Sequence, residues 1–169
     1  MPKAGLAAAC AALAMLLSGC GNIHPLYGDA GLSASVASEL ASVSIPEPDT
    51  RLAQLIRNDL VSTMRPVGTA APNRYSLEID ARAQEDRTIE TTSAQRTLRR
   101  TVRLNVSFAL HDQGSGKVLY QGKTFSQADY DEVGQPFADL QAKTNALERA
   151  AREVSIDIRT RVAAHFAAG

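Results

Sequence analysis

The chain has no tryptophan and only four tyrosines and four phenylalanines among 169 residues. A core built from it must rest on Leu, Ile, Val and Ala. Its two cysteines, Cys10 and Cys20, are too few for a disulfide framework or a cysteine-rich metal site. The three histidines, His24, His111 and His165, have no metal-ligand spacing and no evident orienting partner. No nucleophile elbow and no Gly-rich phosphate loop is present, so nothing announces an enzyme. Glu85-Asp86 and Asp129 with Asp131-Glu132 read as solvated acidic surface rather than a carboxylate pair for catalysis. A formal net charge of zero excludes a general nucleic-acid binder. Internal repeats and low-complexity segments are absent too.

What is present begins at the N-terminus. Lys3 precedes the apolar run Ala4 to Leu17, and Ser18 and Gly19 suit a cleavage site. Fourteen helical residues span about 21 Å, short of the roughly 30 Å of a hydrocarbon core, so the run reads as a signal peptide over 1–19. Leu17-Ser18-Gly19-Cys20 resembles the lipobox of bacterial lipoproteins. That resemblance implies cleavage before Cys20, a diacylglyceryl group on its thiol and an acyl group on its new amine. Two or more acyl chains anchor stably where one binds only marginally. Cys10 leaves with the signal. No other cofactor is expected.

Residues 20–37, which open on the Gly-, Pro-, Asn- and Asp-containing stretch Gly21 to Gly31, read as a lipidated tether, and 38–169 as one domain. Val43 and Ile45 suggest a short strand over Ala41–Ile45, stopped by Pro46 and Pro48. Asp49 or Thr50 can cap a helix whose Leu52, Leu55, Ile56, Leu60 and Met64 share one face, ending at Pro66 and Gly68. "RYSLEIDARAQ" and "TLRRTVRLNVSFAL" alternate with period two and read as half-buried antiparallel strands. The polar stretch between them extends both into a long hairpin. Asp112 to Gly116 is a turn, and Val118–Tyr130 is a further strand, bulged near Gly122. Pro136 opens a long helix with Leu140, Leu147, Ala151, Val154, Ile158 and Val162 as its stripe. The fold class is therefore α+β: a two-layer sandwich of a four-stranded, mostly antiparallel sheet with two helices on one face.

Fourteen of the 18 basic residues are arginine. Arg96, Arg99, Arg100 and Arg103 lie within eight residues with no acid among them. Arg99 and Arg103 share the outward face of one strand, and Arg82 faces the same way from its partner strand. Guanidinium forks suit phosphate and carboxylate, so this face is a candidate site for an anionic lipid headgroup or an acidic partner surface. A solvated face whose arginines pair with Glu78 and Asp80 explains the same pattern. Arg100 shares the parity of Leu98 and Val102, which marks the end of the core or the sheet's rim.

Taken together, the lipobox with "CGNIHPLYG", then "RLAQLIRNDL", "RYSLEIDA", "LNVSFALHDQGSGKVLYQG", "ADY" and an Ala/Arg-rich last helix resemble the lipopolysaccharide-assembly lipoproteins of the LptE family. The resemblance covers nearly all of the mature chain. It implies an outer-membrane, periplasm-facing protein that is not an enzyme. It further implies a one-to-one plug in the LptD β-barrel that aids barrel assembly and lipopolysaccharide insertion, with Arg96, Arg99 and Arg100 nearest the lipid-binding role. An auxiliary lipoprotein of an ABC transport system shares the lipobox and small α/β domain, and a lipoprotein cell-wall hydrolase remains a third reading.

Overall fold

The computed structural model describes residues 33–65, 71–92 and 95–168, and their side chains except those of 88–97. The signal peptide, Cys20 and most of the tether fall outside these residues.

The first described element is a helix where the sequence pattern reads as the end of the tether and the start of a strand. Helix α1 spans Ala34–Ala41 and buries Val36 and Leu40, one turn apart on one face. Two large apolar residues in eight are too few for a helical period to show. The Ser42 hydroxyl donates to the Glu39 carbonyl at 2.7 Å and closes the helix. Strand β1 is thereby shortened to Val43–Ser44, parallel to the start of β2, and the prolines end it as expected.

Helix α2 spans Arg51–Met64, capped by Thr50, whose Oγ1 accepts from the Ala53 amide at 3.2 Å. Its buried residues are Ala53, Ile56, Leu60 and Met64. Strands β2 (Tyr75–Thr92), β3 (Gln95–Asp112) and β4 (Val118–Glu132) form an antiparallel meander, and the sheet order is β1-β2-β3-β4. The expected bulge at Gly122 is absent. Gly122 pairs in register with Phe108, and the irregularity lies between Leu110 and His111. Gly122 is there for space: an added Cβ would sit 2.7 Å from the Phe108 ring.

Helix α3, Pro136–Ala168, is about 50 Å long at 1.5 Å per residue. It packs on β3, β4 and α2, while α2 packs on β2. Val102, Leu104, Val106, Phe108 and Leu110 alternate along β3 and are all nearly or fully buried beneath the helices. Each such side chain contributes about 1.5–3 kcal/mol of burial. The Ala-rich face of α3 permits close approach: Ala146, Ala150 and Ala151 are buried, and Ser155 donates to the Ile56 carbonyl of α2 at 3.3 Å. Leu140 is not in this seam; it is 63% exposed, because α3 there has run past the N-terminus of α2. The fold is α+β, with three helices among the described residues where two were expected of the domain.

Two features of this fold position the candidate site. Among the described residues, nothing covers the helix-free face of the sheet. The β2–β3 hairpin runs past β4, whose last pair with β3 is Glu132 opposite Leu98.

Candidate functional site

The open face is made of even-numbered residues of β2 and odd-numbered residues of β3 and β4, as the two-residue period dictates. Arg82 lies opposite Asn105, and Arg103 lies between Gln84 and Gln127. Arg99 lies between Thr88 and Asp131. The three expected arginines therefore do share one surface. They do not make it a basic patch. From Glu78 to Asp131 this face carries Glu78, Asp80, Asp86, Asp129 and Asp131 against Arg82, Arg99, Arg103 and Lys123.

The pairing follows that interleaving. Arg99 Nε donates to Asp131 at 3.2 Å, and Arg82 meets Asp80 of its own strand at 3.4 Å. Arg103 reaches only the amide oxygen of Gln127, at 3.5 Å. Exposed ion pairs of this sort contribute less than about 1 kcal/mol each, so a ligand can exchange them at low cost. Beside them the face dips into a depression of about 570 Å³ over Ser107 and Ala109, rimmed by Glu78, Asp80 and Lys123. A second of about 370 Å³ adjoins it between Arg82 and Phe125. Phe125 stands 67% exposed on this face, an apolar side chain among polar ones.

Arg100 is elsewhere. Its parity places it on the helix-facing side, where the core ends, and it is only 14% exposed. Its Nε donates to Glu132 at 2.5 Å and a terminal nitrogen to Glu85 at 3.1 Å. Glu85 also accepts from the Tyr130 hydroxyl at 2.5 Å and from Lys143 of α3 at 2.6 Å. The hydrogen bond from Lys143, then that from Tyr130, hold the Glu85 carboxyl down to about 2. Burial, and after it the bond to Glu85, raises the Tyr130 phenol. This network of two acids and two cations ties the root of the projecting hairpin to β4 and to the first turns of α3. The sequence signal is the parity of Arg100, a charge in the apolar alternation of β3; its direct neighbour on β2 is Arg87, and Glu85, opposite Val102, reaches it along the diagonal.

Arg96 lies in β3 opposite Thr91, on the part of the hairpin beyond β4, and its side chain is not among those described. Cys20 lies outside the described residues. Three residues that sequence reasoning missed crowd the start of α3: Val133, Phe137 and Leu140 are 62%, 81% and 63% exposed. Leu140 was read as core because it fits the stripe, and nothing in the period shows where α2 stops covering it. Among the described residues, no group of three or more His, Cys, Asp or Glu can hold a metal ion, and no helix is long and apolar enough to cross a membrane.

Fold and surface together define a small α+β domain that buries one sheet face under helices and presents the other, with a clamped hairpin projecting from one end. Residues 40–162 match the family model of LptE, lipopolysaccharide-assembly, and the chain belongs to that family. The family is non-enzymatic, so the chain's role is in lipopolysaccharide assembly and not in catalysis. Among solved structures it is similar to a candidate lipoprotein of Caulobacter crescentus CB15, at 25% identity and a TM-score of 0.67, over 80% of this chain and 98% of that one. The rare lipoprotein B of Shewanella oneidensis shares the fold at 14% identity and a TM-score of 0.51, over 72% of this chain and 92% of that one. No curated protein matches the chain.

Proposed function

We propose that the mature protein, anchored by lipid on Cys20, faces the periplasm from the outer membrane and forms a one-to-one complex with the LptD β-barrel. In that complex it plugs and helps assemble the barrel and assists placement of lipopolysaccharide in the outer leaflet. The observation that carries this reading is the match of the LptE family over nearly the whole described domain. The open sheet face supports it. Barrel lumens are polar, and a plug inside one needs a mixed polar surface rather than an apolar or single-sign one. The lipobox-like Leu17-Ser18-Gly19-Cys20 supports the anchor.

Within this reading Arg82, Arg99 and Arg103 contact lipopolysaccharide phosphates or barrel carboxylates from the open face, and Arg96 does so from the hairpin. Arg100 contributes by holding the hairpin. The test is the double variant Arg99→Glu/Arg103→Glu, assayed for lipopolysaccharide binding and thermal unfolding. Binding should fall at least about tenfold, the equivalent of 1.4 kcal/mol, while unfolding moves by less than about 1 kcal/mol. Unchanged binding would return these residues to the solvated surface.

A further inference from the structure

Strand β4 ends the sheet, and among the described residues nothing pairs with its outer edge. Fifteen residues of open edge are a template for another strand. Two residues of α3 lie across that edge. Arg149 donates to the Asp129 carbonyl at 2.8 Å, and Arg161 donates to the Lys123 carbonyl at 3.3 Å. Their spacing on the helix matches that of the two carbonyls on the strand, since twelve helical residues cover about 18 Å and six strand residues about 20 Å. Asp157 holds the Arg161 guanidinium in place at 2.9 Å. Both bonded carbonyls belong to odd-numbered residues, so the N–H and C=O groups of Phe125 and Gln127, between the two arginines, point the same way.

We propose that the β4 edge is a latent pairing surface for a second copy of this chain, and that Arg149 and Arg161 keep it shut. The occupant follows from charge. In a two-fold antiparallel pair centred on Ser126, Lys123 falls opposite Asp129 of the second copy, twice over by symmetry. Phe125 then falls opposite Gln127 of the second copy, so the exposed ring is covered. The backbone groups exchanged at Lys123 and Asp129 are the ones the two arginines hold. The copies can join only when both guanidinium groups leave.

The experiment uses the full lipidated chain in density-matched detergent, with protein mass read by sedimentation equilibrium. Wild type should sediment as one chain, as should Arg152→Ala, which removes the same charge from α3 at a residue with no bond to β4. Arg149→Ala/Arg161→Ala should double its mass as concentration rises. On that background, mixing a Phe125→Cys chain with a Gln127→Cys chain should give a disulfide between them. A double variant that melts like wild type and stays a single chain overturns the proposal, and a dimer without that disulfide overturns its register. If the double variant does not fold, hydrogen exchange of wild type decides. Phe125 and Gln127 amides should exchange at least about tenfold faster than those of Thr124 and Ser126, which face β3. Equal protection at all four would show the edge already occupied and overturn the proposal.

Discussion

Replacing Glu85 by Gln keeps the side chain's size and removes its charge. In the native protein this carboxylate accepts from Lys143, Tyr130 and Arg100 at 2.6, 2.5 and 3.1 Å. An amide turns one oxygen into an NH2 group, and Arg100 and Lys143 have only donors to offer it. The depression of the carboxyl from 4.5 to about 2 corresponds to about 3 kcal/mol of favoured ionisation. A quarter of the side chain is in water, which reduces the expected loss to about 2 kcal/mol. With about 2 cal/mol/K of unfolding entropy per residue over roughly 130 folded residues, Tm should fall by about 7 °C at pH 7.

The sign with pH follows from the direction of the shift. The folded carboxyl titrates below the unfolded one, so its stabilisation is complete above about pH 4.5 and disappears as pH falls towards 2. Melting curves of wild type and Glu85→Gln should therefore be well separated at pH 6–7 and converge by about pH 2. Curves that coincide at pH 7, or a gap undiminished in acid, would refute the network as a stabilising clamp.

Gly122→Ala should destabilise by about 1–3 kcal/mol, because the new methyl must displace the Phe108 ring; relief by the added change Phe108→Leu in a denaturant titration would identify the clash as the cause. Ile158→Ala in the α3 seam should cost about 2–5 kcal/mol, whereas Leu140→Ala on the same helix should cost less than about 0.5. Equal losses would contradict the exposed position of Leu140. Thr50→Ala should cost about 1 kcal/mol through the lost cap on α2, and Thr50→Asp should retain most of it.

Most of the architecture was legible because its periods are long. Strands β2 and β3 alternate over many residues, and α2 has five apolar residues on one face between a capping Thr50 and a following proline. What was not legible depended on partners distant in sequence. Helix α1 has a single buried turn, Val36 to Leu40, that only the other helices explain. Leu140 fits a helical stripe whose far end no element covers. The small residue Gly122 looked like a bulge signal, yet it is fixed by a ring on the neighbouring strand. At the site, strand parity put Arg82, Arg99 and Arg103 on one face with Glu78 and Asp80 of β2, and Arg82 does meet Asp80, but it could not show that β4 sets Asp131 beside Arg99. Arg100 stood out by parity alone. Its two partners, Glu85 and Glu132, come from two other strands, and Lys143, which shares Glu85 with it, comes from a helix.

The proposed role turns on the complex with the barrel. Tagged protein purified from outer membranes in mild detergent, with every co-eluting chain identified and quantified by mass spectrometry, tests it directly. LptD should be recovered in a one-to-one ratio, retained through washing. Recovery with an inner-membrane permease instead, or with no stoichiometric partner, would contradict it.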